Sequence, residues 1–185
     1  MSERYKVVDD SIPTFITLTL IDWVDLFVKP QYTSILDDSL NFCREMKGLR
    51  IHAYIYMTSH IHLIVTSVQQ PVKSILRDFK SHTAKQIIQT IKEGDESRRE
   101  WLLNKMSYAG DRIKRNANYK VWQDGFHPVV LDTPRKLEQR LHYIHENPRE
   151  LQLVDDPLHW TNSSLRAYTD EKYMGSVRLD VLFNR

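Results

Sequence analysis

Apolar and polar positions alternate through residues 13–21, PTFITLTLI, a stretch rich in β-branched side chains that predicts a strand. From 31 to 47 the spacing becomes helical: Leu36, Leu40 and Cys43 share one face, Phe42 and Met46 lie beside it, and Gly48 follows as a stop. Residues 50–57 and 60–67 read as two strands joined by a tight turn at Thr58-Ser59, a β-hairpin. Gln69-Gln70-Pro71 opens a helix over about 72–92 with Val72, Ile75, Leu76, Phe79, Thr83, Ile87 and Ile91 on its apolar face. Residues 94–119 break the pattern and predict a short helix followed by a basic loop. A fourth strand is expected at 129–131. Asp132-Thr133-Pro134 then starts a helix that runs to about Glu146 and ends before Asn147-Pro148. The remainder, 149–185, has little periodicity.

The element order is βαββαβ, which predicts an α+β, ferredoxin-like fold. Its antiparallel sheet should carry helices on one face and leave the other free for a site. The whole chain, 1–185, reads as one domain with a basic insertion at 94–120 and a C-terminal tail at 149–185.

Composition narrows the function classes. The chain has 185 residues, 41% hydrophobic and 27% charged, a globular balance. No stretch approaches the roughly 18 apolar residues that a membrane span needs. The first residues, MSERYKVVDD, lack an apolar export signal, and the single cysteine, Cys43, forms no internal disulfide. A cytoplasmic, nucleoid-associated location is expected. Charge is unevenly spread. Between Lys73 and Lys120 lie 12 basic and 6 acidic residues, a local +6 that leaves −4 for the rest of a chain whose net charge is +2. A basic middle suits a polyanionic partner, but on charge alone a solvated surface is the better explanation.

Candidate chemistry is concentrated at two places. His60 and His62 lie two apart on a predicted strand, so they share a face, while Ile61, Leu63 and Val65 take the other. Two imidazoles so placed can converge on a divalent ion, although a half-exposed strand with two polar residues outward gives the same pattern. Tyr143 and Asn147 are four apart on the late helix and share a face. They read as a nucleophile with a third metal ligand, or as a half-buried helix residue with a C-cap before Pro148.

These residues resemble a family. Residues 54–65, YIYMTSHIHLIV, are similar to the His-hydrophobic-His (HUH) motif of single-tyrosine transposases. Residues 143–148, YIHENP, resemble the tyrosine helix of REP-associated tyrosine transposases and their insertion-sequence relatives. FITLT at 15–19, LRDFK at 76–80, VWQDGFH at 121–127 and WTNSS at 160–164 also fit, so the likeness spans about residues 14–168. One position departs: the family usually has Asn where this chain has Ser59.

The resemblance implies metal-dependent nicking and joining of single-stranded or hairpin DNA. His60, His62 and Asn147 would bind Mg²⁺ or Mn²⁺. Tyr143 would attack the scissile phosphate, leaving a 5′-phosphotyrosyl link and a free 3′-OH. Lys73, Arg77, Lys80, Arg112, Lys114 and Arg115 would follow the phosphates, and Tyr119 and Trp122 would stack bases. A monomer is favoured, with a homodimer exchanging tyrosine helices as the alternative. Competing readings are an inactive or domesticated relative that only binds hairpins, a ferredoxin-like RNA-binding module using Tyr54 and Tyr56, and a hydrolytic metalloenzyme, for which carboxylates near the histidines are lacking.

Overall fold

The computed structural model describes residues 9–111, 118–170 and 172–182. Strand β1 (Thr14–Thr19) leads to α1 (Pro30–Lys47), followed by the hairpin β2 (Leu49–Tyr56) and β3 (His60–Ser67). Helices α2 (Val72–Glu93) and α3 (Arg99–Asp111) come next, then β4 (Val129–Val130), α4 (Pro134–Glu150) and α5 (Leu165–Thr169). The sheet order is β2-β3-β1-β4, with every neighbouring pair antiparallel. This is the expected ferredoxin-like arrangement, with α3 inserted before β4.

Alternation divides the sheet into two apolar faces. Ile16, Leu18, Ile61, Leu63 and Val65 pack with Leu36 and Leu40 of α1 and with Ile75, Leu76 and Phe79 of α2. Helix α1 stops at Gly48, whose φ of 74° suits glycine. A Cβ there would also lie 2.6 Å from the Gln69 side chain. The insertion joins the same core, because Leu102 and Met106 of α3 are buried in it.

The second face is not free, as the sequence suggested. Phe15, Ala53, Ile55, Met57 and Ile64 are covered by Ile144, Leu137 and Leu141 of α4 and by Trp160 and Tyr168 of the tail. The amphipathic α4 needs an apolar surface to bury, and this face is the one α1 and α2 leave uncovered.

A bulge in β2 feeds both faces. Ile51 pairs with Val65 but Ala53 pairs with Ile64, so His52 is the extra residue. Leu49 and Ile51 face α1 and α2; beyond the bulge Tyr54 and Tyr56 take that side, and Ala53, Ile55 and Met57 turn to α4. The buried His52 ring makes contacts of 2.6 Å with the Asp180 carbonyl and 2.9 Å with the Thr66 hydroxyl. The aperiodic tail thus has a structural role. Asn162 accepts from Tyr56 N–H, Ser164 N–H donates to the Tyr54 carbonyl, and Asp180 N–H donates to the Ile51 carbonyl, so the outer edge of β2 is already paired.

Helix α4 also differs from expectation. It continues through Pro148 to Glu150. Proline costs one backbone donor, yet Leu151 N–H bonds the Asn147 carbonyl and Leu153 N–H bonds the Pro148 carbonyl, so the helical turn closes beyond it. Asn147 is therefore inside the helix and not its cap.

Candidate active site

The hairpin turn places His60 and His62 on the α4 side of the sheet, opposite Ile61, Leu63 and Val65, as alternation requires. The two imidazole centroids are 4.8 Å apart. Across the strand pair, Thr17 is the register partner of His62, and its hydroxyl lies 2.9 Å from His62 Nδ1. The other ring nitrogen, Nε2, is buried and has no hydrogen-bond partner. With Nδ1–H donating to Thr17, Nε2 presents a lone pair. Ser59 occupies the turn, its hydroxyl 3.4 Å from His60 Nδ1. Phe15 stacks on His62 at 5.1 Å.

Burial sets the protonation state. It is the main force pushing the His62 pKa down to about 3, with the charges of His60 and Arg140 adding to it. Burial also lowers that of His60. Both rings are neutral near pH 7, the form that ligates metals.

Helix α4 brings the second half of the site. The Tyr143 ring stands edge-on to His62, with centroids 5.5 Å apart. Asn147, one turn further on and 4% exposed, has an amide oxygen without a hydrogen-bond partner. Two of the three buried unpartnered side-chain polar atoms among the described residues thus belong to His62 and Asn147; the third is Glu146 Oε2, which lies 2.5 Å from the Arg149 guanidinium. Buried polar atoms normally find partners, so two orphans beside one tyrosine call for a ligand. Two imidazole nitrogens and one amide oxygen fit a borderline divalent ion, and they suit Mn²⁺ better than Mg²⁺, which prefers an all-oxygen shell. No group of three or more His, Cys, Asp or Glu suited to a metal occurs among the described residues, in keeping with an amide as third donor.

Two flanking residues were not legible in the sequence. The Arg140 guanidinium lies 4.9 Å from the Phe15 ring and 5.6 Å from the Tyr143 ring. It has no carboxylate partner among the described residues. Its place three residues before Tyr143 was the available signal. Trp23, after β1, is 61% exposed and stands edge-on to His60 at 5.5 Å. Nothing in its neighbours forecasts that position.

The other expected residues are scattered. Lys73 and Arg77 are exposed on α2, in the helical layer on the opposite side of the sheet from Tyr143, and Arg77 is ion-paired with Asp78 at 3.0 Å. Lys80 is half-buried and donates to the Gln123 and Gly125 carbonyls at 2.5 and 2.8 Å, and burial lowers its pKa to about 8. It clamps the loop after α3. These three line a cleft of about 550 Å³ with Gly125 and Phe126. Arg112, Lys114 and Arg115 lie outside the described residues. Tyr119 is half-buried with Lys92 4.7 Å from its ring centre.

The stacking role expected of Trp122 is not compatible with its position. It is 4% exposed, packs against Phe27 and Phe79, and donates its indole N–H to Thr83 at 3.0 Å. The isolated bridge between Leu20 and Trp122 carries this residue inward, where a large ring is worth more buried than exposed. Tyr54 and Tyr56 are also buried, the latter donating to Asp37 at 2.8 Å, so they offer no platform for RNA. No described helix is long and apolar enough to cross a membrane.

Neither a protein-family model nor a curated protein matches the sequence. Among solved structures, a REP-associated tyrosine transposase bound to a REP hairpin is similar over 100% of this chain and 95% of its own, with a TM-score of 0.66 at 18% identity. With that likeness added to a four-stranded sheet that carries two histidines beneath a tyrosine-bearing helix, the chain has the fold of the REP-associated tyrosine transposases.

Proposed function

We propose that this protein nicks and rejoins single-stranded or hairpin DNA through a covalent tyrosine intermediate. The observation that carries the reading is the meeting of Tyr143 with His62 at 5.5 Å, where His62 Nε2 and Asn147 Oδ1 are buried without partners. The solved structure of similar fold contains a hairpin, which supports a DNA partner for this chain too.

The Tyr143 phenolic oxygen forms a bond to phosphorus as the bond from phosphorus to the 3′ oxygen breaks. The 3′ oxygen leaves as a hydroxyl after taking up a proton, and the phenol gives up its own to solvent or a passing base. Because the 5′-phosphotyrosyl link keeps the bond energy, an incoming 3′-OH restores a phosphodiester by the reverse step, without ATP. His60, His62 and Asn147 would hold the divalent ion, and Thr17 would fix the His62 ring so that Nε2 points at it. When bound, Mn²⁺ or Mg²⁺ supplies neutralisation of charge on the scissile phosphate. Arg140, which has no carboxylate partner among the described residues, adds positive charge on the Tyr143 side.

Incubation with single-stranded DNA carrying candidate hairpins, with and without Mn²⁺, tests this. A protein–DNA adduct that survives denaturant is expected with the metal only. Tight hairpin binding with no adduct under any metal would leave a DNA-binding relative without the chemistry.

A further inference from the structure

Trp23 belongs to a short 3-10 turn, Ile21–Trp23, that follows β1. Asp22 and Trp23 have φ of 49° and 53°, two successive non-glycine residues in the left-handed region, which large side chains rarely enter. The surroundings hold them there. Leu20, Ile21 and Val24 are buried on either side. Leu20 N–H donates to the Ser59 carbonyl and Ile21 N–H to the Val121 carbonyl, both at 2.9 Å, and Lys105 of α3 pairs with Asp22 at 3.1 Å. A chain anchored at so many points keeps a strained turn only if the fold has no relaxed route there or the turn has a use. What the turn does is leave an indole 61% exposed beside the candidate metal pair.

The ring contacts form a row. Trp23 meets His60 at 5.5 Å, His60 meets His62 at 4.8 Å, and His62 meets Tyr143 at 5.5 Å. Trp23 and Tyr143 thus stand at opposite ends of the histidine pair. A phosphate held between those ends brings the base of a neighbouring nucleotide to the indole. A flat, exposed, apolar ring binds a base by stacking, without reading its hydrogen-bonding edge.

We propose that Trp23 is the stacking platform for the base that flanks the phosphate held at His60 and His62. The ligand is an unpaired nucleobase of a single strand, with purines favoured for their larger face. The proposal rests on the reading of the site as one that processes single-stranded DNA.

The test uses the full chain, a labelled oligodeoxyadenylate and an abasic strand of equal length and equal charge, with binding followed by anisotropy. The wild type should prefer the strand with bases. Trp23→Ala and Trp23→Gly should lose about tenfold or more of that preference, in line with the worth of one stacked base, and Trp23→Phe should keep most of it. Trp23→Gly guards against misfolding, because glycine accepts a left-handed φ and this variant should melt no lower than the wild type. A Trp23→Gly protein that retains the wild-type preference overturns the proposal, and so does a wild type that fails to distinguish the two strands at low salt. Adduct formation is scored separately. Loss of preference in the variants without any wild-type adduct would overturn the nicking reading and leave the platform standing; an adduct with an unchanged preference would do the reverse.

Discussion

The imidazole of His62 and the phenol of Tyr143 stand edge-on at 5.5 Å, one from the middle of the sheet and the other from the helix that covers it. Neither element makes the site alone. The strand supplies a buried nitrogen without a partner, and the helix supplies the hydroxyl and, one turn on, an amide oxygen in the same condition.

Removal of the phenolic oxygen isolates the chemistry from the fold. Tyr143→Phe keeps the ring that packs against Phe15 and His62, so melting and hairpin affinity should stay near wild type while the covalent adduct disappears. Tyr56 and Tyr168 do not provide a substitute, since Tyr56 donates to Asp37 and Tyr168 to the His52 carbonyl. A denaturing gel measures this, and undiminished adduct would move the nucleophile elsewhere.

Asn147 gives opposite signs in two measurements. Its amide oxygen is buried and unbonded, a state that costs about 1–3 kcal/mol, and alanine favours helix. Without metal, Asn147→Ala should therefore melt at or above the wild-type temperature. The Mn²⁺ concentration required for adduct formation should rise about 10- to 100-fold, and Asn147→Gln should recover part of that. A lower melting temperature with an unchanged metal titration would sink the ligand role.

Thr17 acts through His62. Thr17→Val preserves shape and removes the hydroxyl 2.9 Å from Nδ1, freeing the ring to turn and change tautomer. Weaker Mn²⁺ binding, by about tenfold, is expected in the electron paramagnetic resonance of the bound ion, before any DNA is added. An identical binding curve would show that packing by Phe15 alone orients the ring.

Glu96 anchors the segment between α2 and α3. Its side chain is fully buried and meets Lys29 and Tyr32, each at 2.9 Å, and accepts from Arg98 N–H at 3.1 Å. Burial by itself raises its pKa, but the bonds from Lys29, Arg98 and Tyr32 outweigh it and hold the value at about 2, below the ordinary 4.5. The folded pKa is depressed, so the stabilisation is present above about pH 4.5 and is lost as pH falls towards 2. Linkage at about 1.4 kcal/mol per pH unit sets its size at about 3 kcal/mol. Urea midpoints measured across this range should fall steeply for the wild type and less for Glu96→Gln.

Lys73 and Arg77 test the route of the DNA. Both are exposed on α2, across the sheet from Tyr143, so a strand that reaches them must wrap around the domain. Each lost phosphate contact reduces the slope of log affinity against log salt by about 0.7 to 0.9. Lys73→Ala with Arg77→Ala should lower that slope by between one and two units; an unchanged slope places the path elsewhere.

By itself, the sequence determined the order of elements and the faces of most of them, because alternation and helical spacing respond only to which side must be buried. It put His60 and His62 opposite Ile61, Leu63 and Val65, and Tyr143 with Asn147 on one helical face. Four things were decided only by tertiary structure. The bulge at His52 reverses the parity of β2, and no residue type marks it. The continuation of α4 past Pro148 depends on carbonyls that Leu151 and Leu153 reach after the chain has turned. Trp122 is drawn into the core by its bridge to Leu20, while Trp23 is turned out by two left-handed residues of a kind that seldom adopt that conformation. An aromatic residue is equally suited to a core and to a base, and only the backbone around it, fixed by distant contacts, chooses between them.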